Sequence, residues 1–444
     1  MTTYRIWSGI TTIGGNIVEV RTEKARVYCD FGLSVASDLP EDEQTQSELE
    51  NLILIQAFPA IPELLETDDF EKLDLPGFHL NTLKTAVFIS HLHLDHMGAL
   101  KFLPKEVDVY LSEDSLKLYH LLLEVGEEEP VKCQLHAYKP NEKVVVGDIT
   151  VEAQESDHDE KGAHALFIQT EDLKLIHSGD FRFNGYKPEK VKAWAEKARM
   201  WEPDVLLIEG TSYSFDDVES EQMELLDNEF VEEVEAPLTE EILLDELTYL
   251  FRANETELLI YNPYIRNVER IVQVDKVAKD SGRTMVWEEA YAYVLAAFYP
   301  EKQFTVLEET FNGKLSDSAL KELVSLDQLK EEPGKYVLQS SYKNIAFLED
   351  FGIGIYIHSN GEPLGDYDLR YGLLLDSLDE YGFEFLSLGP SGHAGRDDII
   401  EVAKTVSAKN TLPWHSFKPE ALHKALTENG VQSFLPELGK EYRG

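Results

Sequence analysis

Short stretches of alternating or continuous apolar residues, separated by turns, dominate the first half of the chain. Such runs predict β-strands when turn residues bound them. The strands are predicted over residues 4–7, 16–21, 26–29, 85–90, 107–111, 143–146, 149–153, 165–170, 174–177 and 205–208. Helices are predicted around residues 59–66 and over residues 97–103. Strands mixed with helices and many turns predict an αβ sandwich.

The pattern changes near residue 211. Residues 216–246 are rich in Asp and Glu, which predicts a solvated face and not a binding tail. Strand and helix then alternate, and this alternation predicts a small parallel α/β domain. The helices are predicted over residues 239–253, 267–281 and 289–298, and the strands over residues 257–261, 284–287 and 336–339.

Length and charge limit the possible classes of protein. A chain of 444 residues predicts two or three domains. We expect no membrane span, no signal peptide and no disulfide, with Cys29 and Cys133 as buried thiols, and therefore a cytoplasmic protein. The net charge of −44 predicts repulsion from anionic membranes. It also counts against nonspecific binding of nucleic acid, which normally needs a basic surface.

A dense cluster of metal-ligand residues follows the strand predicted over residues 85–90. It comprises His91, His93, Asp95 and His96. Imidazole and carboxylate together suit zinc, manganese or iron better than calcium, which prefers oxygen. Four such ligands exceed what one catalytic zinc ion with an open water position needs. The cluster therefore predicts two neighbouring metal ions and hydrolysis, in preference to scattered surface histidines.

Three further groups can complete two metal sites. They are His158 in Glu155-Ser-Asp-His158, Asp180 in Ser178-Gly-Asp180, and His415 in Pro413-Trp-His415. A carboxylate at a strand end can bridge two cations. His164 competes with His158, which is preferred because it lies in the loop before the strand. His164 and His177 are predicted to pack beside the site.

This order of motifs resembles the metallo-β-lactamase superfamily. The resemblance implies two mixed sheets facing each other, with helices outside and two divalent metals at one rim, most often zinc, with manganese as an alternative. It assigns His91, His93 and His158 to the first metal, Asp95, His96 and His415 to the second, and Asp180 to both. Asp30, before Phe31-Gly32, resembles a supporting residue of the family, although a simple turn residue is an equal alternative.

Three later motifs resemble the β-CASP branch of that superfamily, whose members cut nucleic acid. The motifs are Glu209-Gly-Thr-Ser212, Ser391-Gly-His-Ala394 and His415. The resemblance implies an inserted α/β domain over residues 213–385, between metallo-β-lactamase parts at 1–212 and 386–444. It implies that Glu209 orients a histidine and that His393 contacts the scissile phosphate or protonates the leaving group. Ser391, Gly392, His393 and Ala394 are the predicted substrate-binding residues, and Asp95, Asp180, Glu209 and His393 the predicted catalytic ones.

Within the branch, residues 391–415, Arg266-Asn-Val-Glu-Arg270 and Gly282-Arg283 are most similar to bacterial ribonuclease J. Two positions depart from that pattern. Residues 337–341 replace its usual Gly-Ser-Gln-Gly loop, and Gly389 replaces a histidine. These departures leave it undecided whether the chain has the pocket for a 5′-phosphate that favours exonuclease action.

The sequence predicts a metal-dependent ribonuclease, acting as an exonuclease or an endonuclease, with RNA as substrate and a homodimer as a possible state. Two alternatives stay open: a ribonuclease-like protein with a binding or assembly role, and a small-molecule metallohydrolase such as a lactonase. The charge conflict has three possible answers. A channel could be locally basic through Arg182, Arg266, Arg270 and Lys418, the substrate could be short, or RNA could be no substrate at all.

Overall fold

The computed structural model describes residues 1–34, 44–215, 238–365 and 368–444, whose strands form three sheets. The first sheet has seven strands in the order β20-β1-β2-β3-β4-β5-β6. Its strands are β1 (Thr3–Ser8), β2 (Ile17–Arg21), β3 (Ala25–Cys29), β4 (Lys84–Phe88), β5 (Asp108–Ser112), β6 (Gln134–Tyr138) and β20 (Glu441–Arg443). The strands from β3 to β6 run parallel to one another, so their carboxyl ends meet at one edge.

The second sheet faces the first and has six strands in the order β19-β11-β10-β9-β8-β7. They are β7 (Lys143–Val146), β8 (Ile149–Glu155), β9 (His164–Gln169), β10 (Lys174–His177), β11 (Val205–Glu209) and β19 (Asn410–Trp414). Apolar side chains of both sheets share one buried core, in which Ile6, Val27 and Phe88 meet Leu166 and Leu207. The predicted αβ sandwich is confirmed.

The third sheet is wholly parallel, with seven strands in the order β15-β14-β13-β16-β12-β17-β18. They are β12 (Leu258–Pro263), β13 (Thr284–Trp287), β14 (Phe304–Leu307), β15 (Leu320–Val324), β16 (Tyr336–Gln339), β17 (Gly354–Ser359) and β18 (Phe383–Ser387). Its central strands are buried on both faces, as parallel strands usually are. In sequence, all its strands lie between β11 and β19 of the second sheet. The last of them, β18, crosses the domain boundary predicted at residue 385.

Eleven α-helices pack around these sheets in the described residues. They are α1 (Glu48–Leu54), α2 (Leu94–Met97), α3 (Glu113–Val125), α4 (Pro188–Trp201), α5 (Glu240–Ala253), α6 (Val268–Asp280), α7 (Glu289–Phe298), α8 (Leu326–Glu331), α9 (Leu369–Tyr381), α10 (Arg396–Val406) and α11 (Pro419–Glu428). Among these described helices, none is long and apolar enough to cross a membrane. Cys29 and Cys133 are buried free thiols, as predicted.

Two helix predictions were wrong. Residues 59–66 form turns, because Glu63 adopts a left-handed φ of 59° that no α-helix accommodates. The helix predicted over residues 97–103 is instead the short α2 and a 3₁₀ turn, Leu100–Phe102. The carbonyl of Asp95 accepts from Asn16 N, and the N–H of Ala99 donates to Phe31, so the helical hydrogen bonds are diverted. Most of the acid-rich stretch, residues 216–237, lies outside the described residues.

Candidate metal centre

The metal-ligand cluster after β4 is divided between the loop before α2 and the first turn of that helix. His93 is the N-cap of α2, which places Asp95 and His96 on the first helical turn while His91 stays in the preceding loop. The strand ends of the second sheet bring the other groups to the same place. His158 follows β8, Asp180 follows β10, and His415 follows β19, which pairs in parallel with β11.

The first ligand group consists of His91, His93 and His158, whose ring nitrogens lie within 4.8 Å of one another. His93 Nδ1 is 3.2 Å from His158 Nε2. Burial lowers the pKa of His158 to about 3 and holds the pKa of His91 well below its usual value. Both rings are therefore neutral, which is the form in which imidazole binds a metal.

The second ligand group consists of Asp95, His96, Asp180 and His415. His96 Nε2 lies 3.2 Å from Asp180 Oδ2, and His415 Nε2 lies 2.9 Å from Asp95 Oδ2. Asp180 Oδ2 is also 3.8 Å from His91 Nε2, so this one carboxylate contacts both groups. Burial acts to raise the pKa of Asp180, but His415 and His96 hold it well below its usual value.

Hydrogen bonds on the outer side of four rings fix which nitrogen faces the centre. His96 Nδ1 donates to Asp30 and His415 Nδ1 contacts Thr211 Oγ1 at 2.7 Å. His91 Nδ1 contacts Ser90 Oγ, which itself donates to Asp30. The fourth is His158, whose Nδ1–H donates to a backbone carbonyl, that of Gly392. Each of the four Nε2 atoms then keeps its lone pair for the centre.

The inward atoms have the character of a ligand set. The Nε2 atoms of His96 and His415 both point into the centre and lie only 3.3 Å apart. His91 Nε2 and Asp180 Oδ1 are buried and have no hydrogen-bond partner in the described part of the chain. Two ligands of one zinc ion, each at about 2.0–2.2 Å, lie roughly 3.3 Å apart in tetrahedral geometry. The donor set fits divalent metal ions.

Asp30 supports the ligands directly. Its carboxylate accepts from Ser90 N at 2.7 Å, from Ser90 Oγ at 2.9 Å and from His96 Nδ1 at 2.7 Å. The residue also turns the chain, with a left-handed φ of 59°. The two interpretations of the sequence are therefore compatible, because the turn aims the carboxylate at the cluster.

The structure brings His158, and not His164, to His91 and His93. His164 Nδ1 donates to the Gly162 carbonyl, and its ring packs against Tyr138. His177 packs its ring against Trp414 at 4.4 Å and lies 3.5 Å from the Asp30 carboxylate. Burial lowers the pKa of both rings to about 4. Both histidines lie beside the centre without joining a ligand group.

A third group lies next to the second and contains Glu209, His393 and His415. His393 Nδ1 is 3.5 Å from Glu209 Oε1 and 3.7 Å from Asp180 Oδ2. Burial acts to lower the pKa of His393, but Glu209 and Asp180 raise it to about 10. His393 is therefore protonated at neutral pH, and its side chain is 22% exposed, so it can reach a bound molecule.

The loop before α10 is held along its backbone. Arg270 Nη2 and Asn360 Nδ2 donate to the Pro390 carbonyl, and Asn184 Nδ2 donates to the Ser391 carbonyl. Ser391 Oγ accepts from the N–H of His393. The N–H of Ala394 donates to Glu209 Oε1 at 3.5 Å. These contacts place His393 over the metal centre before any substrate arrives.

The proposed basic channel was wrong for three of its four residues. Arg182, Arg266 and Arg270 are buried, and each forms an ion pair with a buried glutamate. Glu240 pairs with both Arg182 and Arg270, and Glu128 pairs with Arg266. Lys418 is partly buried and has a partner of its own. The arginines stabilise the interior and do not present positive charge to solvent.

At both positions that depart from the ribonuclease J pattern, neighbouring side chains already make close contacts. Ser341 donates through its N–H and its hydroxyl to the buried carboxylate of Glu288, at 2.7 and 2.8 Å. A Cβ at Gly389 would lie 2.2 Å from Asn360 Oδ1, so no histidine fits there without moving Asn360. The donors of this loop are thus already engaged by an anionic side chain.

Several residues of the site were missed in the sequence. Asn16 gives no local signal, because it reaches Asp95 and His96 only through the tertiary fold. Thr211 lies inside the motif at residues 209–212, but no role was predicted for it. Asp159 could have been found, since it directly follows His158. Its Oδ1 lies 3.3 Å from His158 Nε2 and 3.3 Å from His93 Nε2.

Part of the chain resembles a known family of domains. Residues 52–236 match the model of the beta-lactamase superfamily domain. The chain is 22% identical to "Probable RNase MJ4" of Methanocaldococcus jannaschii over 97% of both chains. It is 28% identical to the Ribonuclease J of Helicobacter pylori over 40% of this chain and 22% of that one.

One solved structure resembles the whole molecule. It is a protein of unknown function from Enterococcus faecalis V583, with a TM-score of 0.80, 29% identity and coverage of 99% of both chains. The chain spans about a fifth of the Ribonuclease J of Helicobacter pylori, but nearly all of the Methanocaldococcus relative. Residues 52–236 therefore resemble a beta-lactamase superfamily domain, and the chain is similar over nearly its whole length to a protein named as a probable ribonuclease.

Proposed function

We propose that the protein is a metal-dependent ribonuclease that hydrolyses phosphodiester bonds at a dinuclear centre. The observation that carries this proposal is the meeting of two ligand groups at Asp180, with His393 only 3.7 Å from the same carboxylate. The ribonuclease names of the relatives support RNA as the substrate. The proposal includes an inserted domain over residues 213–385 between the two metallo-β-lactamase parts.

Seven residues would hold two divalent ions, most simply zinc, with manganese as the alternative. The first ion would be held by His91, His93 and His158, the second by Asp95, His96 and His415, and both by Asp180. When bound, such a pair supplies the Lewis acidity and the activated water that phosphodiester hydrolysis needs. Contacts at the outward nitrogens of His96, His158 and His415 would direct the Nε2 atoms of these rings towards the ions.

His393 is the proposed general acid. With a pKa raised to about 10 it carries a proton at neutral pH, and Glu209 holds the ring by its Nδ1. The protonated ring can donate to a phosphate oxygen or to the departing oxygen. Ser391, Gly392 and Ala394 shape the backbone that carries it, and we assign this loop to substrate binding.

The buried arginines favour a small number of phosphate contacts. Because Arg182, Arg266 and Arg270 are paired with glutamates, neutralisation of the substrate falls to the metal centre and to His393. Binding that releases few counterions depends only weakly on salt. A short or locally bound stretch of RNA therefore suits a chain of net charge −44.

The test is incubation of the metal-loaded protein with 5′-labelled RNA, either monophosphorylated or triphosphorylated, at low and high salt. Ladders indicate endonuclease action and mononucleotides indicate exonuclease action. His120→Ala is the matched control for substitutions of histidines in the centre, because His120 is exposed on α3 and away from the centre. If the metal-loaded protein leaves every RNA intact, the ribonuclease proposal is wrong. The next tests are then hydrolysis of a lactone and an assay for a binding role.

A further inference from the structure

Asp159 lies beside the first ligand group with an unsatisfied charge. Its side chain is 9% exposed, and its Oδ1 has no hydrogen-bond partner in the described part of the chain. Yet this oxygen is 3.3 Å from His158 Nε2 and 3.3 Å from His93 Nε2. A buried carboxylate without donors is unfavourable unless a cation compensates it.

The nearby side-chain cations do not meet that need. Arg182 and Arg270 are the closest guanidinium groups that act on Asp159, and both form ion pairs with Glu240 instead. Among the described residues, Asp159 has no lysine or arginine at ion-pair distance. Its close neighbours are the imidazoles of His93 and His158.

The distance to His158 is that between two ligands of a common ion. His158 Nε2 faces the centre, since its Nδ1 donates to the Gly392 carbonyl. Two ligand atoms at about 2.0–2.2 Å from one metal lie roughly 3.3 Å apart in tetrahedral geometry. The geometry points to Asp159 as a further ligand of the ion that His91, His93 and His158 would hold.

Gly392 leaves the space that this carboxylate needs. A Cβ at position 392 would lie 3.0 Å from Asp159 Oδ1 and 3.0 Å from His158 Cε1. The loop that carries His393 thus packs directly against the carboxylate. Asp159 joins the first metal to the loop that we assign to substrate binding.

The carboxylate of Asp159 changes which metal ion the first site prefers. The first site would already combine three imidazoles with the carboxylate of Asp180. A second carboxylate, that of Asp159, raises the coordination number, favours manganese and lowers the positive charge of the site by one more unit. This inference concerns metal binding alone and does not depend on RNA being the substrate.

The test is calorimetric titration of the full, metal-stripped chain with Mn²⁺ and with Zn²⁺. Asp159→Asn keeps the shape and a side-chain oxygen, but it lacks the charge of a ligand. We expect it to weaken one of two Mn²⁺ equivalents at least about tenfold, with a smaller loss for Zn²⁺. Glu155→Gln is the matched control, because it removes a charge from the same segment at an exposed position paired with Lys190.

Thermal melting of the metal-free variants separates ligation from a structural role. As a ligand without its metal, Asp159 is an uncompensated buried charge, so Asp159→Asn should melt no lower than the wild type. If Asp159→Asn binds both Mn²⁺ equivalents as tightly as the wild type, Asp159 is no ligand. If the metal-free variant melts well below the wild type while Glu155→Gln does not, Asp159 serves the fold and the inference fails.

Discussion

The two ligand groups of the centre are held in different ways. In the second group, side chains from distant segments fix the outward nitrogens, with Asp30 on His96 and Thr211 on His415. In the first group, His158 donates to a backbone carbonyl of the substrate loop, and His93 Nε2 has no hydrogen-bond partner among the described residues. His93 is the most open ligand of the first group, with a side chain 17% exposed, and Asp95 is the most open ligand of the second, at 26%.

The groups differ in charge as well. Burial lowers the pKa of His91 and of His158, so the first group is made of neutral rings. In the second group burial acts to lower the pKa of His96, but Asp180, Asp95 and Asp30 hold it well above its usual value. The second group therefore attracts a cation more strongly and is better preorganised. We expect it to fill first when metal is added.

The largest effect should come from Asp180, the one residue that both groups contact. Asp180→Ala removes a buried carboxylate from both sites, and metal chemistry is worth several kcal/mol. Because each 1.36 kcal/mol is tenfold, activity should fall at least about a thousandfold. Metal content measured on the folded variant should fall below that of the wild type. Full metal content with full activity would contradict a shared ligand.

The contrast between the groups can be sharpened at Asp30. Asp30→Asn weakens the direct partner of His96 Nδ1 and reaches the first group only indirectly, through the Ser90 hydroxyl that contacts His91 Nδ1. Loss of the direct contact should weaken the second metal by about 10- to 100-fold. Titration with Zn²⁺ should show one strongly weakened equivalent and one that is weakened much less. Equal weakening of both equivalents would mean that the two groups act as a single site.

A smaller effect is expected at Glu209, which acts through His393. Glu209 is the largest favourable partner of the protonated ring, so Glu209→Gln should lower the pKa of His393. His393 acts while protonated, and a lower pKa therefore moves the alkaline limb of the pH–rate profile to lower pH. The rate at neutral pH should fall roughly tenfold. In a His393→Ala background the same change should leave the profile unmoved.

Much of the centre was predictable because its signals are local. His91, His93, Asp95 and His96 lie within six residues at a strand end, and the remaining groups also follow strands. Strands come together at their carboxyl ends in such sheets, so residues far apart in sequence meet there. The predicted sandwich and the parallel sheet follow from the same apolar runs.

Other features depend on contacts that no local pattern encodes. Arg270 and Glu240 are 30 residues apart and Arg266 and Glu128 are 138 apart, so no local pattern indicates that these arginines face inward. The end of α2 is likewise set by Asn16 and Phe31, which take the helical hydrogen bonds of a distant segment. In both cases, contacts with residues distant in sequence determine the structure, and the local pattern of residues does not encode them.

The ion pairs of Glu240 also have a mechanical consequence. Arg182 follows β10 in the sandwich, whereas Arg270 lies on α6 beside the parallel sheet and also donates to the Pro390 carbonyl. Separating these parts would break the buried Arg182–Glu240 ion pair and the hydrogen bond from Arg270 to the Pro390 carbonyl at the same time. We therefore expect the His393 loop and the parallel sheet to move as one body.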